Sequence, residues 1–308
     1  MNYPGFSPVI GQQQVKELLT QSIIQDRIAP AYLFVGNNGV GKKLAAQCFA
    51  QILLGVDKSS TPRNHPDLLW IEPTYLHQGE LLTSEEAEKI NLTRKTAPII
   101  RLEQIRQIST FLSKSPWESS RQLVILQSVE TMAEPAANAL LKTLEEPGNA
   151  TFILIAPSVE SVLNTIVSRC QRIPFYPLHT EDLIKVLQQT GHHEILENHA
   201  IMHMAYGSPG NAIAYYNHLQ SLPEGLLDIL LKPTTSYLDA FLKAGRIAKH
   251  LNMQTQLWLI DYLQHFYWKT RRETAKMESL EQARKRLLSH SQPRLVWECT
   301  FLNMLSST

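Results

Sequence analysis

The residues with the clearest chemistry run Gly36-Asn37-Asn38-Gly39-Val40-Gly41-Lys42-Lys43. Glycines at this density let the backbone curl so that several N–H groups point into one concavity, and a lysine closing the curl reaches the outer phosphates of a nucleotide. The phosphate-loop pattern then wants Ser or Thr, because that hydroxyl ligates Mg²⁺. Lys43 stands there instead, and an ammonium cannot ligate a cation. The loop suits phosphate and is poorly built for the metal that hydrolysis needs.

A second group lies in Gln122-Leu123-Val124-Ile125-Leu126-Gln127-Ser128-Val129-Glu130. In an active P-loop ATPase the equivalent strand ends in acidic residues that hold Mg²⁺ and polarise the attacking water. Gln127 and Ser128 occupy those positions, and neither is a carboxylate. Glu130 follows, but two more residues along an extended chain carry it several ångströms out of that role. Other reactive side chains show no organising pattern. Cys48, Cys170 and Cys299 lie too far apart for metal or redox spacing and read as free thiols, and the adjacent His192-His193 lacks the helical spacing of a metal pair.

These groups need elements to position them. Ala31 to Val35 is an apolar strand candidate entering the glycine loop, and the Ala-rich stretch Leu44 to Ala50 reads as the helix leaving it. Val15, Leu18, Leu19 and Ile23 mark an amphipathic helix over Gln12 to Gln25. Buried strands are expected at Leu68 to Ile71, Gln122 to Glu130, Thr151 to Ala156 and Ile173 to Phe175. A helix is expected over Ile100 to Leu112, and another with Pro135 as its first residue. This alternation predicts a doubly wound parallel sheet with helices on both faces. Thr74 to Ala97 reads as a surface excursion, partly helical at Ser84 to Lys89, with no functional reading. Beyond Pro177 the pattern is helical: Glu181 to Gln189, His192 to Tyr206, a helix starting near Asn211 after Gly207-Ser208-Pro209-Gly210, and then helices to the end. Trp258, Leu259, Tyr262, Leu263, Phe266 and Tyr267 form an apolar face read as bundle core, with part of it available for subunit contacts.

With 308 residues, 44% apolar content and a net charge of +1, the composition is that of a multidomain globular protein with no global basic bias toward nucleic acid. Nothing at the N-terminus resembles a signal peptide and no apolar run is long enough for a membrane span, so the expectation is a cytoplasmic protein.

Together, Val9-Ile10-Gly11-Gln12, the loop, His65-Pro66-Asp67, the run Asn138 to Pro147, Ser168-Arg169-Cys170 and Gly207-Ser208-Pro209-Gly210 resemble the bacterial clamp-loader AAA+ family. The specific motifs run through about residue 216; beyond that only the helical pattern continues. The resemblance implies a P-loop AAA+ core over 1–176, a small helical lid over 177–217 and a helical collar for oligomerisation over 218–308. It implies partners as well: gamma/tau-type and delta-type loader subunits in a hetero-oligomeric ring, with the sliding clamp and primed DNA reached through that complex, and no membrane. It makes Arg169 an arginine finger offered in trans to a neighbour's ATP, where a forked guanidinium neutralises charge developing on the γ-phosphate.

Departures from the family's motor subunits point one way. Besides Lys43, Gln127 and Ser128, the polar sensor position after Ile155 is occupied by Ala156-Pro157, and Gly210-Asn211 stand where the lid would present an arginine. The expectation is weak or non-hydrolysed ATP or ADP at residues 36–43, no hydrolysis by the chain alone, and no zinc, since the relatives' cysteine cluster is missing. Two alternatives stay open. One is a self-sufficient ATPase with Glu130 as base. The other is a DNA-binding module using Lys269, Arg271, Arg272 and Arg284-Lys285-Arg286, diluted by Glu273, Glu278 and Glu281.

Overall fold

Runs of β-branched and aliphatic residues form the strands, and 3.6-residue periodicity between them forms the helices. The computed structural model describes residues 4–56, 62–90, 97–271 and 273–306. In chain order it contains α1 (Gln13–Ile24), β1 (Ala31–Val35), α2 (Lys42–Leu54), β2 (Leu68–Ile71), β3 (Thr74–His77), β4 (Glu80–Thr83), α3 (Ser84–Lys89), α4 (Leu102–Leu112), β5 (Gln122–Gln127), α5 (Glu134–Glu145), β6 (Ala150–Ala156), α6 (Asn164–Val167), β7 (Gln171–Pro174) and α7 (Thr180–Gln189). Then follow α8 (His199–Met204), α9 (Pro209–Gln220), α10 (Leu226–Leu231), α11 (Tyr237–His250), α12 (Met253–Arg271), α13 (Thr274–Leu288) and α14 (Pro293–Ser306). The chain separates into two compact units, Met1–Val186 and Leu187–Thr308.

In the first unit the main sheet runs β2-β5-β6-β1-β7, and every pairing in it is parallel. Alternate residues of each strand serve opposite faces. Leu33, Leu126 and Leu154 pack with Ile105 and Ile108 of α4 and Leu140 of α5, while Phe34, Ile125 and Ile153 pack with Leu19 of α1 and Phe49 of α2. Both faces are covered, so β1 and β6 are buried throughout, as a doubly wound parallel sheet requires. Such a sheet gathers the carboxyl ends of its strands, and the loops after them, along one edge.

Three local expectations change. The 74–97 stretch contains an antiparallel hairpin, β3 with β4, turned through Gln78 and Gly79 at φ 50° and 88°. Its Ser84 helix forms under a Thr83/Glu86 capping box, and residues 91–96 of that stretch lie outside the described residues. His192 to Tyr206 is not one helix. A 3₁₀ turn at His193–Glu197 precedes α8, whose first turn is capped by the Asn198 side chain accepting from Ile201 N at 3.0 Å. Finally, Ser208 caps α9 by accepting from Asn211 N at 3.1 Å, so Pro209 and Gly210 belong to its first turn.

The second unit is held by a helical core in which Trp258, Leu259, Leu263 and Tyr267 of α12 are buried. Several of its buried polar groups are paired, while the Trp258 indole N–H is buried with no hydrogen-bond partner among the described residues. Trp297 donates to Gln256 Oε1 at 2.9 Å, and Gln256 donates to the Leu251 carbonyl at 2.8 Å. The fully buried Lys243 ammonium has Asp239 at 3.2 Å, the Lys232 carbonyl at 2.8 Å and the Thr234 hydroxyl at 3.3 Å. Three partners for three N–H groups make this lysine a structural one. Arg284 is engaged by Asp261 and by Glu281 at 3.3 Å, which removes it from the basic cluster; Arg272 lies outside the described residues.

Candidate functional site

The glycine loop leaves β1 and returns as the first turn of α2. Gly36 sits at φ 152°, and a Cβ there would come 2.3 Å from the Phe175 carbonyl oxygen, so only glycine lets the loop lie against the chain leaving β7. Lys42 is the first residue of α2 and is almost fully buried. Its ammonium donates to the Gly36 carbonyl and, at 2.7 Å, to the Asn37 carbonyl. Burial pulls its pKa down to about 8, and the Glu130 carboxylate opposes that pull. The ammonium is thus held over the loop's concavity at a helix N-terminus, where an arriving phosphate would exchange for the two carbonyls.

Glu130 is nearer than extended-strand spacing implies. β5 stops at Gln127, Ser128 takes a left-handed φ of 56°, and the 3₁₀ turn Val129–Thr131 folds the chain back, with the Ser128 carbonyl accepting from the Thr131 hydroxyl at 2.8 Å. Burial pushes the Glu130 carboxyl up, while its own backbone N–H and Lys42 pull it down. Glu130 Oε2 and Gln127 Oε1 are buried with no hydrogen-bond partner among the described residues.

Lys43 does not join this group. Its ammonium lies 5.8 Å from the ring centre of Trp70 on β2, which Arg63 also approaches at 5.1 Å. The indole's negative face attracts both cations. The position that would supply a metal-binding hydroxyl is therefore occupied by a side chain engaged at β2, and Gln127 and Ser128 add no carboxylate. The residues present fit a phosphate and do not fit a catalytic magnesium.

Two motifs act as scaffold. Gln12 donates to the Val40 carbonyl at 3.2 Å and the Tyr176 carbonyl at 2.7 Å, and accepts from Tyr176 N at 3.3 Å, tying the glycine loop to the segments before α1 and after β7. Beside it runs a groove of about 200 Å³ lined by Gly11, Gln12, Gln13, Tyr176, Leu178 and Asp182, a feature with no local signature in the sequence. In His65-Pro66-Asp67, the buried Asp67 carboxylate accepts from the backbone N–H groups of Trp117, Glu118 and Ser119 at 2.6, 2.8 and 2.8 Å, and from the Ser119 hydroxyl at 2.9 Å. Burial alone would raise its pKa; the four hydrogen bonds outweigh that and hold it at about 2.

Arg169 follows α6 at the surface, its side chain 35% exposed. The guanidinium donates from Nη1 to the Thr165 carbonyl at 2.9 Å and from Nη2 to Glu145 Oε1 at 2.5 Å. Burial pushes the neighbouring Cys170 thiol up to about 12, which keeps it protonated and unreactive. Among the described residues no three side chains of metal-ligating type gather at one point, and no helix is long and apolar enough to cross a membrane.

A glycine loop between β1 and α2 of a doubly wound parallel sheet, continued by a helical unit, defines a P-loop AAA+ fold. A DNA polymerase III gamma subunit-related protein of Thermotoga maritima superposes with a TM-score of 0.55 at 18% identity, covering 96% of this chain and 99% of that one. Thermotoga maritima RuvB gives 0.50 at 11%, covering 96% and 90%. The family model described as DNA polymerase III, delta subunit, matches residues 11–179, and that described as cyanobacterial DNA polymerase III delta prime, C-terminal domain, matches residues 181–304. The chain belongs to the DNA polymerase III delta and delta-prime subunit family. It is 34% identical over 180 residues to the Bacillus subtilis subunit delta', covering 54% of this chain and 48% of that one, and 35% identical over 156 residues to the Pseudomonas aeruginosa subunit delta', covering 46% and 42%. The Bacillus subtilis subunit tau is 29% identical over 180 residues, covering 58% and 30%. The chain thus spans about half the length or less of these curated relatives.

Proposed function

We propose that this chain is a delta-prime-type clamp-loader subunit that takes part in loading a sliding clamp on primed DNA without hydrolysing ATP itself. It sits in a ring with gamma/tau-type and delta-type subunits, its 218–308 helices forming the collar and 177–217 the lid. Residues 36–43 hold ATP or ADP weakly, as a structural ligand, with the nucleoside beside Gln12. Arg169 is donated to the ATP of a neighbouring subunit, where its charge and fork stabilise the γ-phosphate as it departs.

The observation that carries this reading is the contrast between a phosphate cradle lacking metal ligands and a half-exposed guanidinium two residues beyond α6. The test is a reconstituted ring carrying Arg169→Ala. DNA-stimulated ATP turnover is expected to fall by at least about tenfold while the ring still assembles. Wild-type turnover would remove the finger assignment. A second reading, a self-sufficient ATPase, draws on the Glu130 carboxyl with its raised pKa near Lys42. Isolated chain turning over Mg-ATP, with the activity lost in both Lys42→Ala and Glu130→Gln, would select it.

A further inference from the structure

The carboxylate of Glu145 is out of place by local rules. It is the last residue of α5, where the helix macrodipole disfavours negative charge, and Glu146 follows it directly. A residue that violates a local preference needs a compensating role elsewhere. The structure supplies a partner 24 residues on in the Arg169 guanidinium, which Glu145 meets at 2.5 Å. Stability does not explain the pair. The two side chains are 35% and 53% exposed, and ion pairs so placed contribute little to folding.

What the pair does is fix a long side chain. Nη1 is taken by the Thr165 carbonyl of α6 and lies 3.5 Å from the Ser168 hydroxyl, while Nη2 is taken by Glu145 at the end of α5. A guanidinium has five N–H donors, so Nε–H and one Nη2–H remain beyond these contacts, and the Nε/Nη2 edge of a guanidinium is one that can pair with two phosphate oxygens. We infer that Glu145 is a positioning residue for Arg169: it selects, before any neighbour arrives, the rotamer that turns the Nε/Nη2 edge toward a partner's phosphate. Ordering that side chain in advance removes an entropy cost from the encounter and places the charge where it is needed. The inference rests on the reading of Arg169 as a donor in trans.

The experiment is a double-mutant cycle on DNA-stimulated ATP turnover in the reconstituted ring, with assembly and thermal melting checked for each variant. Glu145→Ala is expected to lower kcat about tenfold with KM for ATP unchanged. Glu145→Gln keeps an acceptor oxygen and is expected to retain most of the rate. In an Arg169→Ala background, Glu145→Ala is expected to change nothing further, because it acts only through the arginine. Equal losses with and without Arg169, or a Gln variant as poor as Ala, would overturn the positioning role and leave the finger standing. A silent Glu145→Ala beside a damaging Arg169→Ala would do the same, whereas a silent Arg169→Ala would bring down both.

Discussion

Lys42 and Arg169 are the two cations proposed to meet phosphate, and the molecule builds around them in opposite ways. Lys42 is sunk in the P-loop, its ammonium on the loop's own carbonyls and its pKa lowered by burial to about 8. The groups that would complete a hydrolytic centre there are missing or diverted, with Lys43 drawn to Trp70 and amide and hydroxyl side chains at Gln127 and Ser128. Arg169 stands at the surface with two donors uncommitted by its contacts to Glu145, Thr165 and Ser168. Holding a nucleotide and accelerating its hydrolysis are separable tasks, and on the function proposed above they fall on different surfaces of this chain. On that proposal the chain does without its own chemistry while supplying a part of a neighbour's.

The contrast can be broken at several points. Arg169→Lys keeps a charge but loses the fork, so in the reconstituted ring it is expected to recover little of the rate, leaving about a 10²-fold deficit at the served ATP site. Full activity in the lysine variant would mean that only net charge matters there. Next comes the scaffold common to this sheet. Asp67 holds its pKa at about 2 against an ordinary 3.8, so the stability it contributes is present above pH 4 and is lost as pH falls toward 2. A gap of that size is worth about 2 kcal/mol. Asp67→Asn is expected to lower unfolding free energy by about that amount at pH 7, read by denaturant melts, while leaving Arg169 chemistry intact in assembled rings.

Smaller effects concern the cradle. With its pKa near 8, Lys42 is an ammonium below that pH and an amine above it, so nucleotide affinity of the isolated chain should fall up to about tenfold per pH unit once pH passes 8. Folding stability moves the other way: the unfolded lysine titrates near 10.5, so between about pH 8 and 10.5 the unfolded chain holds the extra proton and rising pH favours the folded state. The smallest expected effect is that of Lys43→Thr. It restores a metal-binding hydroxyl but no base, and turnover by the isolated chain should change by less than about threefold.

Much of this organisation was legible in the sequence, and the rest failed for physical reasons. The central strands read correctly because burial on both faces of a parallel sheet leaves continuous apolar runs such as Leu123 to Leu126. The β3–β4 hairpin was missed because its strands are four residues each and half-exposed, which leaves too few positions to show a period. The return of Glu130 depends on a left-handed Ser128, and nothing about serine announces that conformation. The remaining features, Lys43 on Trp70, Glu145 on Arg169 and the Gln12 clasp, pair residues 24 to 164 positions apart. Contacts of that range are set by the packed sheet and carry no local pattern.

The most direct measurement is a single-turnover experiment on the isolated chain: bind labelled ATP with Mg²⁺ present, separate the complex, and follow the label as the nucleotide dissociates. The expected result is intact ATP in solution and no ADP above the uncatalysed background. Release of ADP and phosphate at a rate abolished by Lys42→Ala would contradict the division of labour between the two sites.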